Sequence, residues 1–125
     1  LLIARMPPPE RRGIVMIDPS YELAGDDDAV AAALAGAVGR FATGVYLIWY
    51  PLIDRARTER LVERLSRAGP AIRIELCTTP DSPGRGMTGS GLVVLNPPWT
   101  LKNQALVALP EISHRLRMTG PTMVG

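Results

Sequence analysis

Four consecutive residues, Asp18-Pro19-Ser20-Tyr21, carry the groups needed to hold a flat aromatic amine. The Asp18 carboxylate and the Pro19 carbonyl can each accept one hydrogen of an –NH₂ group. Tyr21 offers a face for a planar base to stack on, a contact worth about 1–3 kcal/mol per base. Asn96-Pro97-Pro98-Trp99 repeats the same grammar with an amide in place of the acid. On local pattern the two segments are rivals. Each also has a plain reading: a strand-ending turn with Asp as its polar first residue, or a strand stop with Trp99 folded back onto a sheet.

Other candidates carry less. Gly84-Arg85-Gly86-Met87-Thr88-Gly89 spells G-x-G-x-x-G. A dinucleotide loop needs that string between a strand and a helix, with an acid about 20 residues on. Here it leads into the apolar run Leu92-Val93-Val94-Leu95-Asn96, so it reads as a hairpin loop. A single cysteine, Cys77, excludes a disulfide framework and any Cys-based zinc or iron–sulfur site. It sits in a strand pattern and reads as a small core residue. The single histidine, His114, excludes a histidine metal cluster and a Ser-His-Asp set; no metal is expected. Arg55, Arg57, Arg60, Arg64 and Arg67 are diluted by Asp54, Glu59 and Glu63, and read as a solvated helix face.

The elements that position these residues are punctuated by 12 Pro and 12 Gly. Gly13 to Asp18 is a short apolar run closed by Pro19, read as a strand buried on both faces. Three acids, Asp26 to Asp28, open an Ala-rich stretch that ends at Arg40-Phe41; their placement suits the helix dipole and predicts a helix over 27–41. Gly44 to Tyr50 is a second strand, stopped by Pro51. Asp54 caps a helix running to Ala68, with Gly69-Pro70 as its stop. Ile72 to Cys77 alternates at period two, as a half-exposed strand does. With only a loop before the next apolar run, those two strands form an antiparallel pair. A last helix begins after Thr100 and is interrupted by Pro110. The order strand, helix, strand, helix, strand, strand, helix predicts an α/β fold with parallel neighbours and a closing antiparallel hairpin.

At 125 residues the chain is one domain at most. Hydrophobic residues at 46% against 21% charged fit a packed core and not disorder. All the basic residues but Lys102 are arginine, yet the net charge is only +2, so charge alone gives no nucleic-acid footprint. No apolar run approaches the roughly 18 residues of a membrane span. Leu1 to Ala4 is too short for a signal-peptide core.

Taken together, the strings resemble one family. They are Arg11-Arg12-Gly13 into Ile17-Asp18-Pro19, with Tyr21-Glu22, then Arg40-Phe41-Ala42-Thr43-Gly44 with Trp49-Tyr50-Pro51. Pro80-Asp81-Ser82, Gly86-Met87-Thr88-Gly89-Ser90-Gly91 and Asn96-Pro97-Pro98-Trp99 complete the set. Residues 10 to 117 are similar to the RlmJ-type 23S ribosomal RNA adenine methyltransferases. These use S-adenosylmethionine to methylate the exocyclic amine of one adenine.

The resemblance implies a partial Rossmann-like methyltransferase fold. Strands four to seven would be present, mostly parallel with a C-terminal antiparallel hairpin, and residues 1–125 would form the C-terminal part of a single domain. The family's Asp-Pro-Pro-Tyr motif maps onto Asp18, Pro19, Ser20 and Tyr21. Asp18 and Pro19 are then catalytic, Ser20 and Tyr21 bind substrate, and Asn96 to Trp99 is structural. Ser20 departs from the usual proline. The family's glycine-rich cofactor loop lies upstream of these residues, so the chain is expected to be inactive alone and to self-associate. The implied partner is protein-free 23S ribosomal RNA in the cytoplasm, with no membrane. Two alternatives remain open: a non-catalytic RNA-binding or interaction module, and a DNA adenine methyltransferase or protein for use of external DNA.

Overall fold

The computed structural model describes residues 2–22 and 25–125; Leu1, at the apolar start of the chain, lies outside them. After a short 3-10 turn, Ile3–Arg5, come β1 (Ile14–Ile17), α1 (Asp26–Arg40) and β2 (Val45–Leu52). Then follow α2 (Arg55–Ser66), β3 (Ala71–Cys77), β4 (Gly89–Leu95), α3 (Leu101–Arg115) and β5 (Thr122–Val124). The strands make one sheet in the order β1-β2-β4-β3-β5.

The pairing β1–β2 is parallel, in register Ile14 to Val45 and Ile17 to Ile48. The β3–β4 hairpin is antiparallel as expected, but β4 inserts between β2 and β3 and runs against both. Ladders among the described residues are therefore mostly antiparallel, although β1, β2 and β3 point the same way. The three-residue β5 has no sequence signal of its own; it pairs with β3 from Ile74–Val124 to Leu76–Thr122.

One face of the sheet holds the main core. Leu34 and Ala37 of α1 and Leu61 and Leu65 of α2 pack there on Tyr46, Ile48 and Val93. The two helices on this face start where electrostatics favours it. Three acids occupy the first turn of α1, and the Asp54 side chain accepts from the Arg57 N–H at 3.1 Å to cap α2. On the other face α3 packs on β3 and β5 and buries Ala105 and Leu109.

Several expectations are corrected here. β1 is not buried on both faces. Val15 and Ile17 join the core, whereas Ile14 and Met16 are 75% and 57% exposed. The reason is position: β1 is the sheet edge, and α3 covers only the far strands. Pro51 does not stop β2, which runs on to Leu52 beside β4. β1 ends opposite Ile48, so no ladder on that side needs the missing Pro51 N–H. Pro110 does not interrupt α3, which is continuous over its 15 residues. An interior proline costs about 3 kcal/mol, and burial of the neighbouring Leu109 and Ala105 offsets it.

Candidate active site

β1 delivers its last residue, Ile17, to the carboxyl end of the parallel pair, where ligands of α/β sheets bind. The chain then turns across that end through Asp18, Pro19 and Ser20. These three line a cleft of about 500 Å³, together with Asp26 and Ala29 of α1 and Arg5. Asp18 and Ser20 are exposed and Pro19 is half-buried. An acid, a proline carbonyl and a hydroxyl thus stand together at the lip of a cavity.

Tyr21 turns the other way. Its φ of 54° is a left-handed backbone that a bulky residue rarely adopts. Its side chain is only 8% exposed and lies in the core. The phenol donates to the Trp49 carbonyl at 2.7 Å, and the two rings stand 6.4 Å apart, tilted by 53°. Burial pushes the Tyr21 hydroxyl pKa well above its ordinary value, and the charges of Asp27 and then Asp18 push it the same way. Asp18, Pro19 and Ser20 are brought together, then, and the Tyr21 ring is not beside them as a free stacking face.

The Tyr21 side is braced by an ion pair between helices. Arg57 donates to both Asp27 oxygens, at 2.9 and 2.7 Å. That hydrogen bond, foremost, holds the Asp27 carboxyl below the usual carboxylate range. Arg57 and Arg55 are therefore structural anchors and not part of a solvated face; Arg60, Arg64 and Arg67 remain exposed.

A second cleft, of about 440 Å³, was not legible in the sequence. It lies between the β2–α2 junction, Leu52 to Ala56, and the β3–β4 loop, Asp81 to Gly84. Arg55 spans it, donating to Asp81 at 2.7 and 3.1 Å and to Glu75 at 2.8 Å. Glu75 is 1% exposed and also accepts from the Tyr50 hydroxyl at 2.9 Å and Arg73 Nε at 2.6 Å. β3 is thus not half-exposed in the ordinary sense, because its charged row is buried under α2 by being paired. The one sequence signal was an acid two residues from an arginine on the same strand face.

Asn96 lies at the opposite end of the sheet, where β4 finishes beside the start of β2. Its Nδ2 donates to the carbonyls of Ala42 and Gly44, both at 2.9 Å, and its own φ is 52°. It pins the loop between α1 and β2. Trp99 does not fold back on the sheet: it is 90% exposed. Cys77 is buried, and burial raises its thiol pKa.

A family model described as "Ribosomal RNA large subunit methyltransferase D, RlmJ" matches residues 1–124. The chain belongs to the RlmJ family. Among RlmJ relatives, "Ribosomal RNA large subunit methyltransferase J" of Haemophilus influenzae is 50% identical over 115 residues. That match covers 90% of this chain and 41% of the relative. The protein of the same name from Escherichia coli K12 is 43% identical over 121 residues, 95% of this chain and 43% of the relative. The crystal structure of protein LPL1258 from Legionella pneumophila superposes with a TM-score of 0.89 at 34% identity. It covers 99% of this chain and 47% of that one. This RlmJ-family chain therefore spans less than half the length of the relatives it matches. Among its described residues no helix is long and apolar enough to cross a membrane.

RlmJ membership implies S-adenosylmethionine, which needs holders for an amino-acid end and for a nucleoside. The larger cleft sets Arg5 beside Asp18 and Asp26. The glycine-rich string lies instead in the β3–β4 loop, with Gly84 and Gly86 at φ 79° and 78°, and leads into a strand. Among the described residues no glycine loop joins a strand to a helix N-terminus, so they do not make a complete holder for the cofactor.

Proposed function

We propose that this chain takes part in S-adenosylmethionine-dependent methylation of the exocyclic amine of an adenine in 23S ribosomal RNA. Its part is to hold the base. One observation carries this reading: Asp18 and Pro19 stand together at the lip of a cleft at the carboxyl end of β1, in a chain of the RlmJ family. The sheet is read as strands four to seven of a Rossmann-like domain, with β4 as the inserted antiparallel strand. Residues 1–125 form the C-terminal part of that domain, and the protein works in the cytoplasm on protein-free RNA.

The chemistry asked of these residues is specific. An adenine amine is a weak nucleophile because its lone pair is delocalised into the ring. Asp18 and the Pro19 carbonyl accept the two amine hydrogens and favour the pyramidal nitrogen whose lone pair points outward. When that nitrogen gains a fourth bond it must lose a proton, and the Asp18 carboxylate is the acceptor beside it. Ser20 lines the base side of the cleft. Tyr21 stacks on an adenine taken out of its helix once its ring leaves Trp49.

The incomplete cofactor holder favours a second reading, a non-catalytic RNA-binding module. The two are separated by grafting this chain in place of the matching segment of the Escherichia coli relative. Methyl transfer to protein-free 23S RNA, abolished by Asp18→Ala, is the expected result. RNA binding without transfer supports the module. Transfer to duplex DNA in place of RNA, or a fully active Asp18→Ala graft, overturns the proposal.

A further inference from the structure

The second cleft lies along the same end of the sheet as the first. A small cavity between them is lined by Tyr21, Asp27, Ile53 and Asp54. Ile53 and Asp54 also line the second cleft, and Tyr21 and Asp27 directly follow Ser20 and Asp26 of the first. The three cavities follow one another along the carboxyl ends of β1 and β2, from Asp18 to the β3–β4 loop.

The β3–β4 wall of the second cleft is built to keep its shape. Asp81 is gripped by Nε and Nη2 of Arg55, and Nη1 of Arg55 is anchored in turn on the buried Glu75. A buried carboxylate shared by two arginines returns little net stability, so its use here fits fixing a position. Ser82 and Pro83 ride on the gripped segment, opposite Leu52, Ile53 and Ala56. Apolar side walls with hydroxyl and carboxylate edges suit a heterocyclic base. Asp54 and Asp81 make the cleft unsuited to a phosphate. The exposed Arg85 stands outside it, one residue beyond Gly84, where a backbone phosphate would pass.

Resting on the proposed function, we infer that this second cleft holds the base of a nucleotide neighbouring the target adenine. Apolar contact with Ile53, Ala56 and Pro83 supplies the binding, and the Arg55–Asp81 clamp keeps the wall in place. The cleft would set the sequence context in which an adenine is accepted.

Nuclear magnetic resonance of this chain, grafted in place of the matching segment of the Escherichia coli relative, tests this. The probes are a single-stranded RNA trinucleotide with a central adenine and the same trinucleotides abasic at either flank. Expected are amide shifts at Ser20 and Asp26 from the adenine, and at Ile53, Ala56, Ser82 and Gly84 from one flanking base. Removing that base should weaken binding about fivefold or more, the lower range for one stacked base. Ala56→Leu, at an exposed helix position, should erase the second set of shifts and keep the first. The dispersion of its free spectrum reports that it is folded.

Shifts at Ser20 and Asp26 with a silent second cleft overturn this inference and leave the target-site proposal standing. Shifts in the second cleft that persist with both abasic probes show a backbone contact and overturn it as well. Silence in both clefts overturns the target-site proposal together with this one.

Discussion

The Tyr50 hydroxyl reaches the buried Glu75 carboxylate, 2.9 Å away, by laying its ring across Gly91. The three residues are aligned across β2, β4 and β3, and a Cβ at Gly91 would come within 2.1 Å of the Tyr50 ring. The glycine is there because an aromatic ring occupies the space a side chain would fill. Through this gap the middle strand lets β2 bond to β3, although the two are not adjacent.

Gly91→Ala should therefore destabilise the fold by about 1–3 kcal/mol, the usual range for overpacking. Tyr50→Phe keeps the ring and removes one donor to a carboxylate that still has two arginines, so about 1 kcal/mol is expected. Urea unfolding followed by circular dichroism checks both. An unchanged midpoint for Gly91→Ala would show that the ring has another place to go.

Acid should loosen the β3–β4 loop. The Arg55 hydrogen bond holds the Asp81 carboxyl below its ordinary range, and Arg73 does the same for Glu59. A carboxyl whose folded pKa is depressed adds stability that is full above its unfolded pKa, near 4. That stability is lost as pH falls through the lower folded value. Thermal melts should be flat from neutrality to about pH 5 and fall below pH 4. Asp81→Asn should lower the neutral melting temperature and shrink the acid fall; an unaltered acid limb would assign it to other carboxylates.

Asn96 and Asp18 should separate stability from activity. Asn96→Ala orphans the carbonyls of Ala42 and Gly44 and should cost about 1–3 kcal/mol. Asp18→Ala, at an exposed position, should stay within about 0.5 kcal/mol of the parent. In the methylation-competent graft, Asp18→Ala should lose about a hundredfold or more in rate. The reverse pattern, with Asn96→Ala inactive but stable, would move the site to the other end of the sheet.

The 125-residue chain by itself should not bind S-adenosylmethionine, because its glycine-rich string, from Gly84 on, lies in a strand-to-strand loop. Titration calorimetry yielding a micromolar dissociation constant would contradict this.

Self-association should run through β1. Among the described residues that strand pairs only with β2, and Ile14 and Met16 lie open on it without a charge or proline between them. Such an edge is a template for strand addition. Sedimentation at micromolar concentration should show species larger than the monomer, with slow amide exchange along residues 14–17. Met16→Lys should return the monomer; a parent chain that is already monodisperse would refute the claim.

Most local elements, and the chemistry they carry, are legible in short stretches of the chain. Three acids at the head of α1, the Asp54 cap and the period-two alternation of β3 act over a few residues, so they are written in neighbouring letters. Asp18-Pro19 after an apolar run was legible for the same reason. What tertiary structure decided was which faces are covered and which distant groups meet. β1 has a core strand's composition but lies at an edge, so half of it is open. Tyr21 looked like a stacking face, yet a left-handed turn sends its ring to Trp49, 28 residues away. Glu75 falls on the polar face of an alternating strand, and it is buried because Tyr50, Arg55 and Arg73 converge on it from β2, α2 and β3. Pairing over such separations depends on strand order and register. Those are set by how the whole sheet shares out its apolar surface, not by any short stretch of chain.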